Sequence, residues 1–144
     1  MEEEVEIFYE VKSDLSYDDL AAMSKSGVRV IQPGIEALDN SLLKLMRKGV
    51  SSTQNIRFLK DAGRLGIHVV WGLLIGFPGE SEKPYKSYVH ALPLLTHLYP
   101  PDVMGGIVFC RYSPYHTQPE EYGLTLKVGA HYKGLYPNIA IESM

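Results

Sequence analysis

The most apolar stretch of the chain covers residues 67–75 and leads directly into a glycine-containing turn at residues 76–80. Apolar side chains occupy both odd and even positions of this stretch. That pattern predicts a strand buried on both faces, as in a parallel sheet. Gly76 and Gly79 would let a ligand approach the backbone after the strand. Because sites in parallel α/β folds are built at the C-terminal ends of strands, the stretch predicts both a fold class and a candidate site.

Strand-like and helix-like patterns alternate along the rest of the chain. Strands are predicted at residues 7–11, 28–32, 67–75 and 106–111. Helices are predicted to begin at Ser16, at Asp39, at Ser51 or Ser52, and at Ser81. This order predicts an α/β fold of about four parallel strands joined by crossover helices.

Local signals mark where several helices begin and end. Ser16 and Asp19 have the spacing of a capping box, and Gly27 is suited to end that helix. Pro93 should break or kink the helix that begins at Ser81. After residue 115 the chain is rich in tyrosine, proline and glycine without a strong period. We therefore expect a barrel-like domain over residues 1–115 and an irregular tail, with at most a short helix, over residues 116–144.

Composition limits the class of protein. The chain has 144 residues, 45% of them hydrophobic and 22% charged, which is typical of one globular domain. Its net charge of −3 gives no electrostatic reason to expect binding to nucleic acid or to an anionic membrane. Its single cysteine, Cys110, excludes an internal disulfide and fits a reducing compartment. With an acidic start and no apolar run of about 20 residues, the chain is expected to be cytoplasmic.

Polar and glycine residues follow each predicted strand. They are Glu10, Lys12 and Ser13; Gln32, Gly34 and Glu36; Gly76, Phe77, Gly79 and Glu80; and Arg111 and Ser113. Because parallel packing brings these strand ends to one rim, they form the candidate site.

Two motifs carry a family resemblance. Gly34-Ile35-Glu36 is followed by Leu-Leu-Lys-Leu-Met-Arg-Lys-Gly at residues 42–49. Residues 66–69 read Gly-Ile-His-Val and are followed by Ile-Gly-Phe-Pro-Gly-Glu at residues 75–80. In this order and at this separation, the motifs resemble the fourth- and fifth-strand regions of radical S-adenosylmethionine (SAM) enzymes. The resemblance spans roughly residues 7–115 and implies a partial (βα) barrel with strands three to six of that family.

A narrower resemblance rests on residues 8–12, 31–36, 94–98 and 111–115. These are similar to a subfamily of ribosomal-peptide maturation enzymes that pair a cobalamin-binding domain with the radical SAM domain. The resemblance implies modification of a peptide or small substrate through a 5′-deoxyadenosyl radical, with C-methylation as one such reaction. It also implies SAM and a 4Fe–4S cluster as cofactors, with cobalamin held by another domain.

The resemblance also implies roles for individual residues. Glu36 and Gln32 would lie near the ribose or methionine part of SAM. Residues 72–77, which include Gly72, Gly76 and Phe77, would form the wall beside the adenine, with Leu74 packing on the ring. Further candidates on the rim are Glu10, Lys12 and Arg111. The chain departs from the family pattern in two places: Leu74 replaces the usual isoleucine, and the acid falls one position late, at Glu80, with Gly79 in its place.

The largest departure concerns the cluster. The family holds its iron–sulfur cluster with three cysteines, as C-x-x-x-C-x-x-C after the first strand, whereas this chain has only Cys110. The chain is therefore expected to be the C-terminal part of a radical SAM domain that is inactive alone. Cys110, in an apolar predicted strand, is expected to be a buried and unreactive thiol. No metal site is expected, because the five histidines show no paired ligand spacing.

Two other interpretations remain open. A partial barrel leaves sheet edges and an apolar inner face uncovered, which predicts a non-catalytic chain that assembles into a homo-oligomer. Alternatively, the chain is an independent small α/β enzyme that uses Lys12, Glu36 and Arg111 as base, acid and anion-binding group.

Overall fold

A computed structural model describes residues 7–136 and residue 138 of the chain. The described residues form two compact units, which divide between Ile107 and Val108. The strands of the first unit are β1 (Ile7–Val11), β2 (Val28–Pro33), β3 (His68–Val69), β4 (Gly72–Ile75) and β5 (Val103–Gly106). Its helices are α1 (Tyr17–Lys25), α2 (Asn40–Leu45), α3 (Ser52–Arg64) and α4 (Lys83–Ala91), and a 3-10 turn at Leu92–Leu95 follows α4.

Every strand pairing in the described chain is parallel. Strands β1, β2 and β3 form one sheet in that order, and β4 pairs with β5 in a second. Backbone hydrogen bonds continue between the two sheets, from Val70 N–H to Ile31 O at 2.9 Å and from Leu74 N–H to Glu36 O at 3.0 Å. The segment that carries β3 and β4 therefore lies between β2 and β5. The predicted α/β class with parallel strands and crossover helices is confirmed.

The core lies between one face of this sheet and the helices. Ile31, Val69 and Leu73 are buried there, and α3 contacts both β3 and α1. Helix α3 contributes Phe58, Leu59 and Ala62, all at most 2% exposed. These residues recur at helical spacing, so one face of α3 buries apolar surface against the strands.

The stretch at residues 67–75 differs from its prediction in two respects. It forms two short strands, β3 and β4, rather than one. Ile67, Val69, Trp71 and Leu73 are buried, whereas Val70, Gly72 and Leu74 are only half-buried and Ile75 is 41% exposed. The prediction that both faces are buried is therefore wrong for the described chain. The sequence pattern shows that both faces are apolar, but it does not show whether other residues cover them.

The fourth predicted strand is displaced. The structure places β5 at Val103–Gly106 rather than at residues 106–111. Asp102 N–H donates to Trp71 O at 2.8 Å and fixes the start of β5, and the last pairing bond runs from Ile107 N–H to Ile75 O at 2.8 Å. The apolar residues after Ile107 lie beyond this pairing. Cys110 is accordingly outside any strand and exposed, so its predicted burial is wrong.

Most helix signals are confirmed. Ser16 and Asp19 form the predicted capping box, Asp39 caps α2 and Ser51 caps α3. The start at Ser81 is wrong, because α4 begins at Lys83 with Pro84 in its first turn, where a proline costs no hydrogen bond. Helix α4 ends at Ala91, just before Pro93, as predicted.

The second unit contains short helices. They are α5 (Pro114–Thr117), a 3-10 turn at Pro119–Tyr122 and α6 (Ala130–Leu135). The Tyr115 ring lies 5.3 Å from the Phe109 ring and 4.5 Å from the Tyr122 ring, between centroids. The described residues after 115 therefore contain more helix than the sequence predicts. The division into residues 1–115 and 116–144 stays a prediction.

Candidate functional site

A cavity of about 310 Å³ opens between the residues at and after the C-terminal end of β2 and the segment from Val70 to Leu74, beside the start of β5, and we call it the β2–β4 cavity. Its lining consists of Gln32, Pro33, Gly34, Ile35, Glu36, Val70, Trp71, Gly72, Leu74, Asp102 and Val103. A second cavity, of about 300 Å³, is lined by Leu38, Leu59, Trp71, Leu92, Leu95, Thr96, Leu98, Tyr99, Pro100 and Pro101. Only the first combines carboxylates and an amide with apolar side chains, as ligand sites usually do.

Strand geometry explains this lining. Successive side chains of a strand alternate between faces, so residues at even positions of β2 and β4 share the face opposite the helices. Paired residues of parallel strands point to the same side, and Gly72 pairs with Val103. A Cβ atom at Gly72 would lie 3.3 Å from Val103 O, closer than most real contacts. The glycine therefore keeps this part of the inner face open.

An ion pair stands at one side of the cavity. Lys48 Nζ lies 2.9 Å from Glu36 Oε1, with the lysine side chain 25% and the glutamate side chain 32% exposed. A Cβ atom at Gly34 would lie 3.2 Å from the same Nζ. A larger residue at position 34 would require the end of the flexible Lys48 side chain to shift by a few tenths of an ångström.

Trp71 and Asp102 close the opposite side. Trp71 N–H donates to Asp102 Oδ2 at 2.9 Å, and the indole N–H donates to Tyr99 O at 3.0 Å. Trp71 is 5% exposed and belongs to the core, and it also contributes to the lining of the cavity. These bonds fix β4 against the segment that precedes β5.

The turn after β4 is held by one carboxylate. Glu80 accepts hydrogen bonds from Gly76 N–H at 2.8 Å, Phe77 N–H at 2.9 Å and the Tyr85 hydroxyl at 2.7 Å. Gly76 and Gly79 have φ of +91° and +80°, which only glycine adopts without strain. The turn thus brings Glu80 back to the strand end despite its position one residue late.

These hydrogen bonds change the acidity of the groups in the turn. Burial raises the pKa of Glu80, but the hydrogen bonds from Tyr85, Phe77 and Gly76 together outweigh it and hold that pKa below its usual range. Burial and the adjacent Glu80 carboxylate raise the pKa of Tyr85, so its hydroxyl stays protonated as a donor.

The structure brings together five of the predicted site residues. Gln32, Gly34, Glu36, Gly72 and Leu74 all line the β2–β4 cavity. Four others are placed elsewhere. Gly76 and the buried Phe77 belong to the turn after β4, Glu10 is exposed on β1 and pairs with Gln32, and Arg111 belongs to the second unit. The roles assigned to all nine stay predictions.

Several residues of this region were missed from the sequence. Lys48 lies in the motif at residues 42–49, but the sequence assigns it no role in the site, and Asp102 follows two prolines without a recognisable motif. Tyr85 lies five residues after Glu80, and no motif marks it as a partner of that carboxylate. Glu36 pairs with Lys48, and the roles of Lys12, Glu36 and Arg111 in an independent enzyme stay a prediction.

The residues of this chain do not fit an iron–sulfur cluster. Within residues 7–136, no three histidine, cysteine, aspartate or glutamate side chains are close enough to hold a metal ion. The one cysteine, Cys110, is exposed and far too few for a cluster that needs several thiolates. In the same described part of the chain, no helix has the length and apolar character that crossing a membrane requires.

The chain belongs to the radical SAM superfamily, whose sequence model matches residues 1–92. The predicted family, and with it the predicted barrel type, is therefore confirmed. Among curated proteins, an uncharacterized methyltransferase of Pyrococcus horikoshii is 29% identical over 68 residues, which are 47% of this chain and 15% of that protein.

Solved structures of radical SAM proteins share the fold. Coproporphyrinogen III oxidase (HemN) of Escherichia coli matches 82% of this chain with a TM-score of 0.62 and 16% identity. The radical SAM methyltransferase TsrM of Kitasatospora setae, solved with cobalamin and a 4Fe–4S cluster, matches 88% with a TM-score of 0.61 and 16% identity. Because this chain covers only 26% and 23% of those proteins, it corresponds to one part of each.

The hydrogen bonds to Glu80 predict a specific pH dependence of stability. A carboxyl with a lowered pKa stabilises the fold above its unfolded-state pKa, and that contribution is lost as the pH falls through the folded-state pKa. We therefore expect Glu80→Gln to lower the free energy of unfolding at neutral pH, and the gap to the wild type to shrink on acidification.

Urea denaturation at several pH values measures this gap. Glu82→Gln is the control for the loss of one negative charge, because Glu82 lies nearby in an exposed pair with Lys86. A gap between wild type and Glu80→Gln that stays constant from neutral to acidic pH would show that the Glu80 carboxylate does not stabilise the turn.

Proposed function

We propose that the β2–β4 cavity forms one wall of the SAM site of a radical SAM enzyme. The observation that carries this proposal is the convergence of Gln32, Gly34, Glu36, Gly72 and Leu74 on one cavity beside the C-terminal end of β2. Family membership supplies the ligand class, and parallel α/β folds generally build their sites at the C-terminal ends of strands such as β2.

The chemistry of the lining fits the parts of SAM. Gln32 and Glu36 offer an amide and a carboxylate, which suit the ribose hydroxyls or the amino group of the methionine part. Leu74 is apolar and half-buried, so it can pack against the flat adenine ring. SAM would supply the methyl group or the 5′-deoxyadenosyl radical for the reaction, and these residues would orient the SAM molecule.

The whole enzyme is proposed to modify a peptide or small substrate, with C-methylation as the favoured reaction. The names of two relatives, an uncharacterized methyltransferase and the methyltransferase TsrM, support methyl transfer. The motifs at residues 8–12, 31–36, 94–98 and 111–115 support ribosomal-peptide maturation, with cobalamin held by another domain. A cytoplasmic location is proposed with it, because the single cysteine fits a reducing compartment. The 4Fe–4S cluster must come from residues outside this chain, so the chain alone is expected to be inactive.

A binding experiment tests the assignment of the cavity. We expect the isolated chain to bind S-adenosylhomocysteine more weakly than micromolar, because it forms only one wall. Glu36→Gln should weaken binding roughly tenfold, since a hydrogen bond to a charged group contributes about 1.5–3 kcal/mol. Glu82→Gln, which removes an exposed charge on α4, should leave the affinity unchanged.

Amide shifts in ¹H–¹⁵N NMR spectra locate the ligand in the same titration. Perturbation should centre on Gly72 and Leu74. Shifts centred on Leu95 and Leu98, in the other cavity, would contradict the site. A sub-micromolar dissociation constant would instead show that the chain forms a complete site.

A second candidate function is assembly of partial barrels into a homo-oligomer. Its support is the exposure of apolar side chains on the two outer strands of the described sheets. On β1, Phe8 and Tyr9 are 51% and 50% exposed, and on β5, Val103 and Met104 are 58% and 70% exposed. Edge strands that present such residues tend to pair with another chain.

Light scattering at micromolar concentration tests this candidate, with a dimer or larger species as the expected result. Phe8→Lys should shift the distribution toward monomer, because a lysine on an edge strand opposes pairing. Tyr17→Lys, at an exposed position of α1, is the matched control and should leave the distribution unchanged. A monomeric wild-type chain would exclude assembly under these conditions.

A further inference from the structure

Helix α4 contacts the turn after β4 through one hydroxyl. The Tyr85 hydroxyl donates to Glu80 Oε2 at 2.7 Å, and the same carboxylate accepts from Gly76 and Phe77 N–H. Tyr85 thus reaches the strand end through Glu80. A donor to an ionised carboxylate makes a stronger hydrogen bond than a neutral pair does.

The same helix contacts the segment after β2 through a second hydroxyl. Leu38 N–H donates to the Tyr88 hydroxyl oxygen at 2.9 Å, and Tyr88 is only 8% exposed. Leu38 lies two residues after Glu36, which lines the cavity. From helix α3, the buried Asn55 amide donates to Ala37 O at 3.1 Å and holds the same segment from another side.

We propose that Tyr85 and Tyr88 are positioning residues that act together, with helix α4 fixing the turn after β4 relative to the segment after β2 that lines the β2–β4 cavity. We call this pair the α4 clamp. The two tyrosines are three residues apart, so they share one face of the helix. Their rings meet edge to face with 6.0 Å between centroids. The effect of the clamp on ligand binding rests on the proposed function of the cavity as part of a SAM site.

The clamp depends on the chemistry of both hydroxyls. Tyr85 acts as a donor and Tyr88 as an acceptor, so phenylalanine at either position keeps the ring and removes one bond. At position 88 the change would leave the part-buried Leu38 N–H without its acceptor, which is costlier than the bond itself. The ring contact gives each tyrosine a direct way to transmit a displacement to the other.

Other charged groups face the clamp. Asp39, at the N-terminus of α2, raises the pKa of both tyrosines through its negative charge. Lys83, in the first turn of α4, in turn lowers the pKa of Asp39. These groups and Glu80 are the titratable neighbours to consider when the clamp is studied as a function of pH.

The test uses ¹H–¹⁵N spectra of the full chain with Tyr85→Phe, Tyr88→Phe and the control Tyr17→Phe. We expect Tyr85→Phe to shift the Leu38 amide as well as those of Gly76 and Phe77. Tyr88→Phe should shift the Gly76 and Phe77 amides as well as that of Leu38. Tyr17→Phe, on helix α1, should shift none of them. If each α4 variant perturbs only its own side, the two bonds are independent and the clamp is refuted.

A pH titration separates positioning from loss of structure. The Gly76 and Phe77 amide shifts should report the titration of the Glu80 carboxylate. The midpoint should move to higher pH in Tyr85→Phe, because a hydrogen bond that favours the ionised form is lost. Glu80→Gln should abolish this titration while keeping the side-chain shape. An unchanged midpoint in Tyr85→Phe would contradict the role of its hydroxyl.

Ligand binding then connects the clamp to the cavity. S-adenosylhomocysteine should bind several-fold more weakly to both α4 variants than to wild type and Tyr17→Phe. If the wild type binds and both α4 variants bind with the same affinity as the wild type, the clamp has no effect on the cavity. If the wild type itself does not bind at millimolar ligand, the proposed function fails, and the amide shifts still decide whether the clamp exists.

Discussion

The exchange of hydrogen bonds between Trp71 and Asp102 holds together the part of the molecule on which the candidate site depends. Asp102 N–H donates to Trp71 O at 2.8 Å, and Trp71 N–H donates to Asp102 Oδ2 at 2.9 Å. The exchange starts the pairing of β4 with β5, while Val70 and Leu74 bond to the β2 side. One segment is thereby fixed between two neighbours, and its inner face becomes the floor of the β2–β4 cavity. Without this central position, Gly72 and Leu74 would not face the same space as Gln32 and Glu36.

The helical side of the fold was predictable because its signals are local. Capping residues such as Ser16 and Ser51 act within three residues, and the apolar face of α3 repeats at helical spacing. The apolar stretch at residues 67–75 was predicted as one strand buried on both faces, whereas it forms β3 and β4 and one of its faces is only partly covered. The hydrophobic pattern of a sequence indicates which side chains are kept from water in the functional protein, but it does not indicate which residues or ligands cover them. Val70 and Leu74 are apolar on a face that the described chain leaves half open, which fits a face that a ligand or further protein covers.

The candidate site was predictable in part, because Gln32, Gly34 and Glu36 lie at and after the end of β2 and a family motif marks residues 72–77. Gln32, Gly34, Glu36, Gly72 and Leu74 were chosen by motif, and the topology brings them to one cavity. Contacts between segments distant in sequence were not predictable in this way. The bond from Leu38 to Tyr88 joins residues 50 positions apart, and that between Trp71 and Asp102 joins residues 31 apart. A single sequence contains no periodic signal for such pairs, because they arise only when the helices pack on the sheet.

The central claim is that the β2–β4 cavity holds the adenosyl part of SAM. The most direct measurement is a crystal structure of the chain grown with S-adenosylhomocysteine. The account predicts adenine density against Leu74 and the backbone after Gly72, with the ribose or methionine part near Glu36 and Gln32. Density for the ligand in the apolar cavity beside Leu95 and Tyr99, with the β2–β4 cavity free of it, would contradict the claim.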